Sequence, residues 1–142
     1  MRKACVPRAV RRRVAAWARE RCCYCQTQER VSGTALVIEQ IIPEGLGGES
    51  TEANLCLSCR SCNEYKGDRT EGADPVSGDA IRLFHRRADD WREHFVWSPD
   101  GTRVEDLTPI GRATVVALRM NRPLTIQARR LWVRAGWHPP KG

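Results

Sequence analysis

Apolar residues recur at helical spacing near the start of the chain. They predict an amphipathic helix over residues 7–21, for which Pro7 suits the first position. Its apolar side carries Val6, Val10, Val14 and Trp17. Its opposite side carries Arg8, Arg12 and Arg19. The helix can therefore bury one face and present guanidinium groups with the other.

The pattern changes to that of strands in the central region. Residues 34–42 (TALVIEQII) are β-branched and aliphatic and predict a strand. Pro and Gly residues within 43–50 predict a loop, and residues 54–57 predict a second short strand. Residues 60–66 predict a short helix that ends at Gly67. The local order is strand, loop, strand, helix.

The second half of the chain predicts a smaller β region and two helices. Residues 79–107 contain the turn sequence WSPDGT between two short strand-like stretches. Pro109 and Pro123 each suit the first turn of a helix, and these helices run to about Asn121 and Gly136. Their predicted core residues are Val115, Leu118, Leu131 and Trp132.

Composition adds a localised charge to this picture. The chain has 142 residues and a net charge of +7, with 41% hydrophobic and 29% charged residues, as in an ordinary folded domain. Residues 1–21 carry the whole excess, with eight basic residues against one acidic residue. Arginine binds phosphate in a bidentate manner, so a polyanion is the first partner to consider, although a solvated helix face would look the same. We find no apolar run of membrane-spanning length and no secretory signal, and therefore expect a cytoplasmic protein without a membrane partner.

Two CxxC pairs indicate a metal site. Cys22 and Cys25 form one pair, and Cys59 and Cys62 form the other. Four thiolates on two tight turns make a closed tetrahedral site, which is typical of structural Zn²⁺. A redox CxxC is the alternative, but it would need only one pair. The remaining cysteines, which we interpret as small apolar or incidental thiols, are Cys5, Cys23 and Cys56.

Polar residues of a second kind lie between and after these pairs. Glu39 and Gln40 stand near the end of the first strand, and Asn54 begins the second. Asn63 and Lys66 lie on the following helix. Carboxylate and amide oxygens are hard ligands that suit Mg²⁺ or Mn²⁺, although a single Glu at a strand end is usually just solvated.

These segments together resemble the HNH endonucleases, and more narrowly the bacterial subgroup with a four-cysteine zinc knuckle. The resemblance spans residues 8–140 and rests on RCCYCQ, VIEQIIPEGLGGES, NLCLSCRSCNEYKGDR, DPVSG, LFH, WREHFVW and TPIGRATVVALRMNRP. It implies an α+β fold with a ββα-metal core stapled by a four-cysteine zinc site. The expected organisation is one domain over 1–142, with a basic helix at 6–21, the core at 22–68, a β region at 79–107 and a helical extension at 108–137.

The resemblance also implies roles for the polar residues. Glu39 and Asn63 would hold one catalytic Mg²⁺ or Mn²⁺, Asn54 would brace the loop, and Lys66 would lie near the scissile phosphate. The family reaction is hydrolysis of a phosphodiester to 3′-hydroxyl and 5′-phosphate ends. Gln40 stands where the family has its general-base His, and Glu44 stands where a basic residue is common.

The Gln40 departure predicts an impaired or inactive nuclease. A Gln amide can orient water but cannot take its proton, and losing a general base typically costs about 10²–10⁴-fold in rate. Three explanations remain open: a natural degenerate nuclease, an engineered inactive variant, or a base supplied elsewhere. The three His available for the last of these are His85, His94 and His138.

Three functions are consistent with these features. The first is a metal-dependent endonuclease by descent, the second a non-catalytic nucleic-acid-binding module, and the third a zinc-ribbon interaction protein. Double-stranded DNA is the expected partner for the first two. The residues expected to contact nucleic acid are Arg8, Arg12, Arg19, Arg60, Lys66 and Arg69.

Overall fold

The fold alternates helices with short antiparallel hairpins. The computed structural model describes residues 6–49 and 51–142. Its helices are α1 (Arg8–Trp17), α2 (Glu29–Ser32), α3 (Arg60–Lys66), α4 (Trp91–His94), α5 (Pro109–Ala117) and α6 (Pro123–Arg134). Its strands are β1 (Val37–Gln40), β2 (Leu55–Ser58), β3 (Glu71–Ala73), β4 (Ala80–Arg82), β5 (Phe95–Trp97) and β6 (Val104–Asp106). The α+β class predicted from the sequence is confirmed.

The central hairpin positions the residues of functional interest. β1 and β2 pair antiparallel, with Glu39 opposite Cys56 and Gln40 opposite Leu55. β2 is buried along its whole length, because α1 packs against it and the hairpin with β1 covers its edge. α3 follows β2 after one residue and packs against β1. The predicted order of strand, loop, strand and helix is therefore confirmed, although β1 is shorter than the predicted 34–42.

The basic helix ends earlier than predicted. α1 stops at Trp17 rather than at residue 21, and Arg19 and Glu20 take positive φ angles of 55° and 57°. Beyond this break, Arg21 forms an isolated antiparallel bridge with Gln28 across the first CxxC turn. The sequence analysis expected Arg19 on the helix face that carries Arg8 and Arg12. In the structure, Arg19 lies beyond the end of the helix. Nothing in the Arg-Glu-Arg sequence at 19–21 indicates a turn. The helix end was predicted wrongly because it depends on tertiary contacts.

The predicted β region over 79–107 includes strands of two separate hairpins, with α4 between them. β3 pairs with β4, and β3 begins at Glu71, before the predicted boundary. β5 pairs with β6 around the predicted WSPDGT turn. The backbone N–H of Ser98 donates to the carbonyl of Arg103 at 2.9 Å, which closes that turn.

The main core joins the first CxxC segment to the second half of the chain. Tyr24, Phe84, Phe95 and Leu118 are buried together in it, so the core position predicted for Leu118 is confirmed. The core position predicted for Leu131 is wrong, because 63% of that residue is exposed.

The inward face of α6 is taken by a charged residue. Arg129 is fully buried, and its guanidinium donates to the carbonyls of Thr102 at 3.0 Å and Met120 at 2.8 Å. Leu131 lies two residues further along the helix, about 200° around its axis, and therefore points outward.

Every helix within residues 6–49 and 51–142 is too short or too polar to cross a bilayer.

Candidate functional site

The four knuckle cysteines converge on one point. The Sγ atoms of Cys22, Cys25, Cys59 and Cys62 all lie within 4.8 Å of one another. Those of Cys25 and Cys59 are 3.7 Å apart. Zn–S bonds of about 2.3 Å at tetrahedral angles place two sulfurs about 3.8 Å apart. The cluster can therefore hold a structural metal ion, and its donor set fits zinc.

Local turns aim these thiols at the common point. The N–H of Gln26 donates to the Cys22 carbonyl at 2.9 Å, and Gln26 takes a positive φ of 64° to close the first turn. Cys59 is the N-cap residue of α3, and its Sγ accepts from the backbone N–H of Cys62 at 3.4 Å. The CxxC spacing therefore places both sulfurs of each pair on one side of a tight turn.

The cluster favours a cation electrostatically. Hydrogen bonds from Cys22, followed by those from Cys59 and Cys62, lower the pKa of Cys25. Burial raises the pKa of Cys22 instead. Several thiolates cannot share this buried volume unless a cation offsets their charge, because desolvated charge is strongly unfavourable. A metal ion bound here would couple its binding to the folding of this segment.

Glu39 lies inside the protein rather than at a solvated strand end. Its residue exposure is 2%, and its Oε1 accepts a hydrogen bond from the Cys56 thiol at 3.4 Å. The Cys23 and Cys56 sulfurs are only 2.7 Å apart. Burial, together with the charges of Cys56, Cys23 and Glu39, raises the pKa of the Tyr24 hydroxyl, which lies beside this group.

The sequence analysis missed this grouping of Cys23, Glu39 and Cys56. Side chains directly opposite each other in an antiparallel pair lie on the same face, and Glu39 is opposite Cys56. The register could have revealed that pair. Cys23 joins it because its N–H donates to the Leu57 carbonyl at 2.9 Å, a long-range contact that has no sequence signature.

Gln40 occupies the opposite face of β1 from Glu39, since neighbouring strand residues alternate. Gln40 is half-buried, whereas Glu39 is buried. The two residues that the resemblance assigns to metal binding and to the base position therefore project to different sides of the same strand end.

Asn54 fastens the loop that follows β1. Its Oδ1 accepts from the N–H of Ile42 at 2.9 Å. Its Nδ2 donates to the carbonyls of Ile42 at 2.9 Å and Glu49 at 2.8 Å. One side chain thereby satisfies both ends of the loop, which is what the expected bracing role requires.

The two α3 residues differ in exposure. Asn63 is half-buried on a helix that packs against β1, so the elements that carry Asn63 and Glu39 adjoin. Lys66 is only 2% exposed, and its Nζ donates to the Ile41 carbonyl at 2.9 Å. Lys66 therefore faces the strand end from inside the protein and not from the solvent.

The three histidines each contact a neighbouring polar group through a ring nitrogen. His94 Nδ1 lies 2.6 Å from the Thr108 hydroxyl, and His138 Nε2 lies 2.9 Å from the Gly101 carbonyl. Both of these rings are buried and hold loops to neighbouring elements. His85 is half-buried, its Nδ1 accepts from the Arg87 N–H at 3.2 Å, and burial lowers its pKa.

Apart from the buried Lys66, the predicted nucleic-acid contacts divide into two groups. Arg8, Arg12 and Arg60 are exposed on α1 and α3. Arg19 instead donates to the Gly142 carbonyl at 2.7 Å, and Arg69 donates to the Ala117 carbonyl at 3.1 Å. The guanidinium groups of Arg19 and Arg69 therefore also serve as internal ties.

A basic and aromatic cavity was missed entirely. It has a volume of about 610 Å³, and its lining includes Trp17, Arg19, Arg21, Arg86, Trp91 and Arg92. Burial and the charges of Arg19 and Arg86 lower the pKa of Arg21. The residues come from distant parts of the chain, so only the fold shows that they lie together.

Comparison with known protein families identifies the segment that contains both CxxC pairs, the β1–β2 hairpin and α3. Residues 22–69 match the HNH endonuclease family model. The HNH resemblance is confirmed over this range, which contains every residue assigned above to the four-cysteine cluster and to the candidate catalytic site. No curated protein and no solved structure matches the chain. The HNH segment therefore suggests a nuclease-type function that involves nucleic acid.

Proposed function

We propose that the chain is an HNH-type endonuclease in fold and substrate class, with phosphodiester hydrolysis impaired by Gln40. One observation carries the proposal. Within the HNH segment, the buried Glu39 on β1 adjoins the helix that bears Asn63, while Asn54 fastens the intervening loop.

Two metals belong to the proposal. Zn²⁺ at Cys22, Cys25, Cys59 and Cys62 has a structural role, because four protein ligands leave no open position. Mg²⁺ or Mn²⁺ would be held by the Glu39 carboxylate and the Asn63 amide oxygen, which are hard donors of the kind these ions prefer. When bound, such an ion offsets the charge that develops on a phosphate undergoing displacement.

The chain's own residues then have distinct tasks. Lys66 holds the Ile41 carbonyl and so fixes the strand end next to Gln40. Gln40 can accept a hydrogen bond from the attacking water and orient it, but its amide does not remove a proton. Attack then depends on the low concentration of hydroxide near neutral pH, and catalysis is correspondingly slow.

Double-stranded DNA is the proposed substrate class, in the cytoplasm. The exposed guanidinium groups of Arg8 and Arg12 on α1 and Arg60 on α3 suit contacts with backbone phosphates. Such contacts carry no base information, so we expect weak sequence preference and binding that weakens steeply with salt.

Restoration of the base tests the catalytic proposal. Supercoiled plasmid is incubated with zinc-loaded wild type, Gln40→His and the matched control Gln40→Ala, each with Mg²⁺, Mn²⁺ or a chelator. We expect Gln40→His to nick at least about 10²-fold faster than wild type, with an activity that rises through the imidazole pKa of about 6.5. If a folded Gln40→His protein cleaves no faster than Gln40→Ala, the catalytic assignment is wrong.

The second candidate function is a non-catalytic nucleic-acid-binding module. It is favoured by the presence of Gln40 at the position of the family's general-base His. It predicts duplex binding that falls when Arg8 and Arg12 are both changed to Gln, but not when Glu39 is changed to Gln. A labelled duplex in fluorescence anisotropy at two salt concentrations measures this. Binding that Glu39→Gln weakens as much as the arginine pair would contradict the module.

A further inference from the structure

Two cysteines outside the zinc cluster lie in direct contact. The sulfurs of Cys23 and Cys56 are 2.7 Å apart, and both residues are buried. Their backbones adjoin as well, because the Cys23 N–H donates to the carbonyl of Leu57, the residue after Cys56. The two cysteines therefore lie on adjoining segments of the backbone.

The spacing distinguishes this pair from a metal site. The sulfurs of Cys25 and Cys59 in the zinc cluster are 3.7 Å apart, close to the edge of a tetrahedral Zn–S site. The Cys23 and Cys56 sulfurs are closer, and they meet only one further candidate ligand, the Glu39 carboxylate, whereas a closed structural zinc site takes four protein ligands.

We infer that Cys23 and Cys56 form an intramolecular disulfide when the protein meets a small disulfide oxidant, while the four knuckle cysteines stay on zinc. The sulfur of one cysteine attacks the oxidant, its proton passes to the small thiol that leaves, and a mixed disulfide remains on the protein. The second cysteine attacks that mixed disulfide and releases the other small thiol. The protein loses two hydrogens and two electrons, and the oxidant is reduced to two thiols.

Cys23 is the cysteine of the pair that lies nearer to solvent. It is among the residues that line the cavity of about 610 Å³ between the α1 end and α4. Cys23 is 2% exposed, whereas Cys56 has no exposed surface. We therefore assign the first attack to Cys23 and closure of the bond to Cys56.

Closure of this bond acts on the candidate catalytic carboxylate. Glu39 Oε1 accepts its hydrogen bond from the Cys56 thiol, and a disulfide sulfur has no proton to donate. Oxidation therefore removes a partner from a buried carboxylate. This consequence rests on the proposed function, because it concerns metal binding at Glu39, whereas the disulfide itself does not.

Peptide mapping tests the inference without any assay of activity. Zinc-loaded Cys5→Ser protein, which retains six cysteines, is incubated with cystamine, then denatured and alkylated. We expect four alkylated cysteines instead of six, with one zinc per chain before denaturation. Tandem mass spectrometry of the digest should show Cys22, Cys25, Cys59 and Cys62 alkylated and a link between the other two. The matched variant Cys5→Ser/Cys56→Ala should keep its zinc and form no internal link.

The alternative outcomes are distinct. Six alkylated cysteines after prolonged incubation would show that the pair does not close. Links that involve a knuckle cysteine, with loss of zinc, would show that the cluster is the reactive site. Retention of a second metal by the reduced protein, lost in Cys56→Ala, would show that the pair is a metal site instead.

Mn²⁺ titration of the reduced and oxidised proteins follows as a separate measurement. A changed Mn²⁺ affinity after oxidation is expected if Glu39 holds the ion. A disulfide that forms without any Mn²⁺ binding in either state would contradict the proposed metal site and leave the disulfide established.

Discussion

The Lys66 ammonium donates to the Ile41 carbonyl at 2.9 Å and so ties the last turn of α3 to the residue after β1. Lys66 is 2% exposed, which is unusual for lysine. The Ile41 N–H donates to the Asn54 carbonyl at 2.8 Å, so both backbone groups of Ile41 are bound. The strand end that carries Glu39 and Gln40 is therefore held from two sides.

Replacement of Lys66 by Met should destabilise the protein. Met keeps much of the buried volume but leaves the Ile41 carbonyl without its donor, at a cost of about 1–3 kcal/mol in the free energy of unfolding. Urea denaturation of the zinc-loaded protein measures the change. The control, Arg60→Met on the exposed face of the same helix, should stay within about 0.5 kcal/mol of wild type. Equal stability of the two variants would contradict an internal role for Lys66.

Asn54 should control the order of the loop after β1. Asn54→Ala removes three hydrogen bonds, whereas Asn54→Asp keeps the acceptor for the Ile42 N–H and loses both donors. We expect Asn54→Ala to cost about 1–3 kcal/mol and Asn54→Asp at least as much, because a carboxylate oxygen would then face the two carbonyl oxygens that accept from Nδ2. Hydrogen exchange at the Ile42 amide measures the order of the loop, since protection there should fall in both variants. Unchanged exchange in Asn54→Ala would mean that the loop is held by other contacts.

Much of the HNH segment could be predicted because its signals are local. A CxxC pair fixes two sulfurs on one turn, and a β-branched run before a Gly-rich loop indicates a strand. The burial of Glu39 and Lys66 could not be predicted in this way. Each depends on a partner from another element, Cys56 for Glu39 and Ile41 for Lys66, and both residue types are normally exposed.

The errors elsewhere have the same origin. The helix that was expected to reach residue 21 ends at Trp17, because the chain must turn towards the first knuckle. Leu131 was expected in the core, but Arg129 takes the inward face of α6 by donating to two backbone carbonyls. Helical periodicity identifies the apolar positions of a helix. It does not show that a buried arginine occupies the inward face in their place.

Asp89 should make the stability of the folded protein depend on pH. Arg82 donates to both of its carboxylate oxygens at 2.8 Å, and the His85 N–H donates at 2.9 Å. These hydrogen bonds, above all those from Arg82, lower the pKa of Asp89 from 3.8 to about 2. A lowered carboxyl pKa stabilises the folded state above the unfolded pKa, and this contribution disappears as pH falls through the folded pKa.

Asp89→Asn tests this linkage. The variant should be less stable than wild type at pH 7, and the difference should stay constant down to about pH 5 and shrink between about pH 4 and pH 2. Thermal denaturation at several pH values gives the two curves. Asp79→Asn, a change at an exposed carboxylate, serves as the control and should run parallel to wild type. A stability curve for Asp89→Asn that runs parallel to the wild-type curve would show that the Arg82–Asp89 pair contributes nothing to the pH dependence of stability.

The four-cysteine cluster should bind one zinc ion on which folding of the HNH segment depends. Cys62→Ser should lose the metal, and a strong chelator should lower the protection of β1 and β2 amides in wild type. Cys23→Ala should retain one zinc per chain, because Cys23 lies outside the cluster. Metal content by mass spectrometry, measured beside hydrogen exchange, separates loss of zinc from general unfolding. A Cys62→Ser protein that kept a full equivalent would overturn the ligand set.

The disulfide between Cys23 and Cys56 should stabilise the zinc-loaded protein through its effect on the unfolded chain. The two cysteines are 33 residues apart, and closing a loop of this size is worth about 3–4 kcal/mol in the chain-entropy model. Zinc does not replace this contribution, because the ion binds the folded cluster and is released when the segment unfolds. We therefore expect oxidation to add about 3 kcal/mol to the free energy of unfolding of the zinc-loaded protein. Urea denaturation of the reduced and oxidised forms in the Cys5→Ser background measures the gain. A gain below about 1 kcal/mol would show that strain in the folded state offsets the constraint on the unfolded chain.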